Sequence, residues 1–300
     1  MVEGSKLWES LTQDTFSSID EEFIEKFRAP GAANKFVAWD PYEKSTRYLK
    51  FLLFTISQGV SDNFIASYQK IHNVNLGGPV YIKNRNCNLN ADYMAAVEEW
   101  EFLENSNILD EKKVKNVVEI GGGFGRTCHT LFTLIPNLES YTIIDLGPML
   151  SLSRQYLNKA VPDKINQIQF VDSEAIEQQE SLTPDLVVNI DSFQEMPLAV
   201  IDDYMERIVS KSRYFYSKNA VGKYLPNTIG MPDLKASQIL DVFELGRCKD
   251  TIDIFNDEDL ANARENYLKV YNPSDSQWIL NKEAPMSMFP YFHHALYERI

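Results

Sequence analysis

The sequence predicts an α/β fold: a mostly parallel sheet, closed by an antiparallel terminal strand pair and preceded by a helical N-terminal cap. Three observations carry this. A β-type run, Val117-Val118-Glu119-Ile120, enters the glycine cluster Gly121-Gly122-Gly123-Phe124-Gly125 ahead of a helix-compatible segment, 127–134. Further apolar runs closed by acids follow, ending at Asp145, Asp172 and Asp191. Between about 114 and 219 strand and helix patterns alternate, which implies parallel strands joined by crossover helices.

Taken in order, residues 1–110 read as mainly helical. Leu7, Leu11 and Phe16 precede an acidic segment, 19–27, that ends before Pro30-Gly31. Apolar residues recur at helical spacing over 48–66 and 91–103, the latter through Met94, Val97, Trp100 and Leu103. Asn73 to Val80, with Gly77-Gly78-Pro79, signals a loop between them. Strands are expected from near Val117, Tyr141, Ile168, Leu186 and Tyr214, with a helix over 200–209 before the last. The stretch 222–257 is longer than a strand-to-helix connection needs. Pro226, Gly230 and Pro232 break it early, and 234–245 reads as helix. Long connections of this kind serve as lids or specificity elements. A last helix over 258–270 precedes Trp278-Ile279-Leu280 and 292–300, the expected antiparallel pair, separated by Pro285 and Pro290. The organisation is thus a front piece, 1–110, covering the ligand edge or forming a homo-oligomer contact, and a main domain, 111–300, with an insertion at 222–257.

Composition narrows the function. With 44% hydrophobic residues the chain can bury a full core. Its net charge of −14, from 43 acids and 29 bases, repels phosphate backbones and disfavours a nucleic-acid partner. Cys87, Cys128 and Cys248 are far apart and form no Cys-x-x-Cys, so a reduced compartment is expected. The polar start lacks the apolar core of a signal peptide, and the apolar stretch 48–56 is interrupted by Lys50 and too short to span a bilayer. A cytoplasmic protein with no membrane partner is the expectation.

The glycine cluster sets the chemistry. Dinucleotide folds want Gly-x-Gly-x-x-Gly; counted from Gly121 the third glycine position falls on Arg126, and counted from Gly122 the second falls on Phe124. A phosphate-binding P-loop needs a lysine that Gly125-Arg126-Thr127 lacks. Glu-x-Gly-x-Gly-x-Gly is satisfied by Glu119, Gly121, Gly123 and Gly125. A carboxylate at Glu119 can pair with an ammonium and would repel a pyrophosphate. Asp145 lies about 20 residues past the last glycine, where ribose-binding carboxylates sit.

In this motif the chain resembles the class I S-adenosylmethionine-dependent methyltransferases, whose sheet is Rossmann-like with an antiparallel terminal hairpin strand. The resemblance implies S-adenosylmethionine as cofactor, its methionine end held by Glu119, Gly121, Gly123 and Gly125. It puts the ribose at Asp145 and Leu146, the adenine at Asp172 and Ser173, and the methyl group beside Asn189 and Asp191. A longer likeness covers Ile120 to His129, Tyr141 to Asp145, Ser192-Phe193-Gln194-Glu195-Met196, Tyr216-Ser217-Lys218-Asn219 and Phe292 to Glu298. There the chain is similar to bacterial proteins classed by inference as sugar O-methyltransferases. That implies a hydroxyl of a saccharide or sugar nucleotide as acceptor. Gly147-Pro148 departs from those proteins, which more often have proline directly after the leucine.

A base that removes the acceptor's proton contributes typically about 10²–10⁴-fold. Glu195 is the first candidate, with Asp191 beside it and His294 as a third; relatives often carry histidine at the position of Gln194, which cannot act as a base. His129 is expected to pack against the sheet, and His293 and His294, adjacent on a strand, point to opposite faces. No metal-ligand spacing is present. Lys211, Arg213, Lys218 and Lys223 form a basic set around the fifth strand, read as a solvated flank or an anion contact. The rival readings are a methyltransferase for another small molecule, a nicotinamide-dependent dehydrogenase and a non-catalytic cofactor-binding scaffold.

Overall fold

The computed structural model describes residues 19–29, 46–109, 113–178, 182–225, 228, 243–274 and 276–300. Leu7, Leu11, Phe16, Pro30-Gly31, Pro226, Gly230, Pro232 and all but the last three residues of the expected helix 234–245 lie outside them.

A seven-stranded sheet has the order β10-β11-β7-β6-β3-β4-β5, with β3 at Asn116–Ile120, β4 at Ser140–Asp145, β5 at Ile168–Asp172, β6 at Leu186–Ile190, β7 at Tyr214–Ala220, β10 at Trp278–Pro285 and β11 at Phe292–Arg299. β3 pairs with β6, β6 with β7 and β4 with β5, each in parallel. β11 runs antiparallel to both β7 and β10. This is the predicted architecture, including the antiparallel terminal pair. By contacts the chain divides into two compact units: Asn116–Gly121 with Glu174–Ile300, and the described parts of Leu11–Lys115 with Gly122–Ser173.

In the first unit β6 and β7 are buried along their whole length, as parallel strands covered on both faces require. Helices α7 (Leu198–Arg207) and α8 (Asp257–Val270) belong to this unit. Phe193, Phe215, Tyr271 and Tyr297 are buried together, with Phe193 stacked on Tyr271 at 6.4 Å and Phe215 on Tyr297 at 6.1 Å. A short pair, β8 (Lys223–Tyr224) with β9 (Thr251–Ile252), was not foreseen from sequence.

The second unit contains α1 (Glu21–Lys26), α2 (Thr46–Gly59), α3 (Asp62–Lys70), α4 (Ala91–Glu104), α5 (Arg126–Leu134) and α6 (Gly147–Ala160). The helix expected over 48–66 is two helices, because Ser61 turns extended and its hydroxyl accepts the Phe64 N–H at 2.9 Å to cap α3. The second departure is a hairpin, β1 (Tyr81–Asn84) with β2 (Cys87–Asn90), turned by Arg85 and Asn86, both with positive φ. That two-residue turn matches strand twist, but the sequence hid it behind short polar strands. All three cysteines are buried and free. Among the described residues no helix is long and apolar enough to cross a membrane.

Replacing Ser61 with Ala should lower stability by about 1 kcal/mol, and Ser61→Gly by only a few tenths, since glycine still permits the cap backbone. Urea unfolding measures both; equal losses would remove the capping hydroxyl as the cause.

Candidate functional site

The second unit carries most of the glycine loop. Gly123 and Gly125 adopt positive φ, 55° and 93°, which L side chains avoid. A Cβ on Gly125 would meet Leu157 Cδ1 at 2.8 Å, so here glycine also permits close packing of α5 on α6. The Gly123 N–H donates to Asp145 Oδ2 at 2.8 Å, and the Leu146 N–H donates to Asp145 Oδ1 at 2.8 Å. Asp145 is therefore clasped by backbone at the end of β4, with the loop's turn on one oxygen and the start of α6 on the other. Burial pushes its carboxyl up to about 6; these two N–H groups pull the other way, and the charge of Asp172 adds to the rise. Asp172 is the register partner of Asp145 on β5. Its Oδ2 lies 3.0 Å from where a Gly147 Cβ would stand, a physical reason for glycine at that departure from the relatives' pattern. Ser173 opens the single-turn helix Ser173–Gln178 and is half-buried.

The first unit carries the loop after β6. Asn189 is fully buried, and its amide is used up inside the protein. Nδ2 donates to Ile120 O at 3.0 Å and Ser192 Oγ at 2.6 Å, while Oδ1 accepts from Phe193 N at 3.3 Å and Asn219 Nδ2 at 2.8 Å. Asn219 Nδ2 donates also to Ser217 Oγ at 3.0 Å, and the hydroxyls of Ser217 and Tyr267 are 2.9 Å apart. Ser192 Oγ donates to Ile120 O at 3.0 Å, and a Cβ on Gly121 would meet that oxygen at 2.2 Å. Two of the five strings of the longer likeness, Ser192 to Met196 and Tyr216 to Asn219, are also bonded directly, the Gln194 N–H donating to Asn219 Oδ1 at 3.3 Å. The Asn189 side chain, expected beside the transferred methyl group, holds this loop together.

Asp191 follows in the left-handed region at φ 58°, tolerable for aspartate and typical of constrained sites. Its N–H donates to Lys218 O at 2.8 Å, and its Oδ2 lies 3.3 Å from Lys218 Nζ. Lys218 is 1% exposed, its ammonium 5.4 Å from the Phe292 ring centroid. Glu195, half-buried, ends a single helical turn, Phe193–Glu195; α7 starts beyond it with no side-chain cap, so Glu195 is not that helix's cap. Gln194 is tied into the sheet: its Oε1 accepts the Ala220 N–H at 2.7 Å at the end of β7. The charges of Asp191 and Glu195, after burial and along with Tyr224, push the Tyr291 phenol up, so it stands as a neutral donor.

The remaining candidates divide. His294 is 1% exposed with Nδ1 bonded to the Tyr216 hydroxyl at 2.7 Å; this enclosure runs against the catalytic part expected of it. His293 faces the other way, Nε2 to Glu283 at 2.6 Å, burial lowering it to about 4. His129 is buried as expected, bonded through Nδ1 to Tyr93 OH and lowered to about 3 by burial and by Arg28. Glu119 is 2% exposed on β3, beside Val188 of β6. The basic set is not one patch, since Arg213 pairs with Glu298, Lys218 with Asp191, and Lys223 donates to Gln194 O. Lys218 and Tyr291 are what the sequence missed as neighbours of this loop; only alternation along β7 separated Lys218 from Arg213 beforehand.

No protein-family model matches the sequence, and no curated protein matches it. Solved structures share the chain's course at low identity. The mitomycin 7-O-methyltransferase is 11% identical, with 87% of this chain and 69% of that chain covered, at a TM-score of 0.47. The methyltransferase domain of a bacterial Hen1 is 11% identical over 67% of this chain and 98% of its own, at 0.44. An O-methyltransferase of neocarzinostatin biosynthesis, in complex with S-adenosylmethionine and 2-hydroxy-5-methyl naphthoic acid, is 16% identical over 70% and 59%, at 0.40.

Gly121→Ala should cost on the order of 1–3 kcal/mol through its positive φ, and more through the Ser192 hydroxyl. Adding Ser192→Gly should restore only the second part. Denaturant titration of the single and double variants checks this, and full rescue would show that the φ constraint is negligible.

Proposed function

We propose that the chain is an S-adenosylmethionine-dependent O-methyltransferase acting on a hydroxyl of a small molecule, first among them a saccharide or sugar nucleotide. One observation carries the reading: in a Glu-x-Gly-x-Gly-x-Gly setting, Asp145 is pinned by the Gly123 and Leu146 amides. A carboxylate offers about four acceptor positions. Two are taken by backbone, and the others suit the two hydroxyls of a ribose. Gly121, Gly123, Gly125 and Glu119 are assigned to the methionine end, Leu146 to the ribose beside Asp145, and Asp172 with Ser173 to the adenine.

Bound there, the cofactor supplies an activated sulfonium methyl, so the protein's task is orientation. Asp191 and Glu195 stand on a turn made rigid by Asn189, Ser192 and Gln194. Asp191, ion-paired with Lys218, accepts a hydrogen bond from a second hydroxyl of the acceptor molecule, beside the one that is methylated. Glu195 takes the proton. Tyr291 donates from a neutral phenol, and with Tyr224 it offers a half-buried ring face. Aromatic faces beside carboxylates suit a polyhydroxylated ring. The nearness of Phe292, 4.3 Å from Tyr291 between centroids, favours as second reading an aromatic alcohol. The front piece, 1–110, is assigned as a lid or a homo-oligomer contact and the insertion, 222–257, as a lid or specificity element; Asn189 and His294 are assigned support.

Calorimetry with S-adenosylhomocysteine tests the cofactor. Asp145→Ala should weaken its binding by about 1.5–3 kcal/mol, the scale of a charge-assisted hydrogen bond; unchanged affinity would remove the ribose assignment. Stabilisation by NAD alone in a thermal melt would favour the dehydrogenase. Labelled methyl transfer into sugar nucleotides, methyl glycosides and phenols tests the reaction, and silence across all three with the cofactor bound would favour a scaffold.

The pH dependence has a definite sign. The folded value of Asp145, about 6, exceeds the unfolded value of 3.8. The folded state therefore holds the proton more tightly, and this group's contribution to stability falls as pH rises from near 4 to 6. Ribose hydroxyls donate to the ionised form, so affinity for S-adenosylhomocysteine should rise through pH 6 and level off above 7. A flat profile between pH 5 and 7 would contradict this.

A further inference from the structure

Residues 19–29 dock in the second unit with Arg28 as their most bonded side chain. Arg28 is 1% exposed. Its Nε donates to Leu76 O at 2.8 Å, its Nη2 to Val74 O at 2.8 Å, and its Nη1 to Asp92 Oδ2 at 3.2 Å. The Arg28 N–H donates to Gly77 O at 2.8 Å, and Gly77 is glycine by necessity: at φ 85° its Cβ would meet the Phe27 ring at 2.6 Å. The guanidinium lies 4.9 Å from the centroid of Phe124, the residue between Gly123 and Gly125. Phe124 is 5% exposed and is boxed edge-on by Phe27 at 5.2 Å and Tyr156 at 4.9 Å. Arg126 reinforces the arrangement, with Nη1 donating to Asp92 O at 2.9 Å and Nη2 to Glu99 Oε1 at 2.9 Å. The glycine loop thus has side chains at two positions, 124 and 126, and both are tied to the residues that hold Arg28.

We infer that Arg28 is a positioning residue of the cofactor loop: acting through Phe124, it fixes the Gly123–Gly125 backbone in its ligand-taking form. Docking of residues 19–29 and cofactor binding then stabilise each other. The inference rests on the cofactor reading given above. The physical basis is that glycine-rich backbone has many accessible conformations and a large ordering entropy. A loop whose ligand-facing atoms are all backbone must be held from behind. A planar guanidinium stacked on the ring, with its donors fixed by carbonyls, does this, and a lysine ammonium does it less well. Linkage makes the effect reciprocal: whatever factor docking gives to affinity, the cofactor returns to docking.

The test uses full-length protein and S-adenosylhomocysteine. In the wild type, the ligand should slow amide exchange over residues 19–29 as well as over the glycine loop. Arg28→Met should weaken binding by about tenfold or more, within the usual span of such couplings, and abolish the ligand's effect on 19–29. Arg28→Lys should recover part of both. A merely structural Arg28 would lower the melting temperature and leave folded-state affinity alone. If Arg28→Met does not fold, Phe124→Leu, which leaves the carbonyl and Asp92 bonds of Arg28 in place, should show the same loss of coupling. Ligand protection confined to the glycine loop in the wild type overturns the inference while keeping the cofactor reading. Absence of any binding by the wild type overturns both.

Discussion

The first unit depends on the amide of Asn189. One side chain joins the last carbonyl of β3 (Ile120), the turn after β6 (Ser192 and Phe193) and the end of β7 (Asn219). Each such bond contributes only about 1 kcal/mol net, but a buried donor or acceptor left without its partner costs about 1–3 kcal/mol. The network is therefore stiff by the penalty for leaving it. Gly121 is forced by the same arrangement, because the Ser192 hydroxyl occupies the space a Cβ would need. Asp191 and Glu195 project from a turn that has no alternative bonding pattern of comparable quality.

This also explains what the sequence could and could not disclose. The glycine loop was legible because its requirements are local: positive φ at Gly123 and Gly125, and a following acid at a fixed distance. The parallel direction of the inner strands followed from the alternation of strand and helix patterns, the antiparallel end pair from the resemblance, and the order of the strands from neither. The internal bonds of Asn189 were hidden because a polar residue closing an apolar strand looks the same whether it faces a ligand or, as here, bonds two backbone groups and two side chains. His294 was singled out for its side-chain chemistry, and its burial opposite Lys218 in the sheet register carried no signal in the sequence. The hairpin at β1 and β2 escaped because its turn is Arg85-Asn86, and neither residue announces positive φ as glycine does. Arg28 carried no sequence signal, since its partners are the carbonyls of Val74 and Leu76, and carbonyls are anonymous in a sequence.

In the second unit the buried charges are balanced and shared. Burial pushes the Asp92 carboxyl up, while Arg28 and Arg126 pull it down. Arg126 also pairs with Glu99, itself 1% exposed. Such pairs add little net stability over well-packed apolar residues of the same volume, because desolvation offsets their attraction. What they do supply is geometry. Arg126 cannot leave Glu99 without stranding a buried carboxylate, so α5 begins where it does. The residue that broke the dinucleotide spacing therefore has a structural reason of its own, independent of any ligand.

The same unit fixes the sign of charge that the loop accepts. Asp145 and Asp172 are register partners at the ends of β4 and β5, and after burial the charge of Asp172 makes ionisation of Asp145 harder. A phosphate brought within roughly 5 Å of either would meet a repulsion of about 3 kcal/mol per charge pair at an effective dielectric of about 20. Helix starts after glycine loops otherwise favour anions, through free N–H groups and the helix dipole. Here one of those N–H groups, at Gly123, is already committed to a carboxylate of the protein itself. The loop has in effect bound its own anion, and under the proposed function that carboxylate is the acceptor offered to a ligand. Hydroxyl and ammonium donors gain from that acceptor; a pyrophosphate finds its amide taken and its charge opposed.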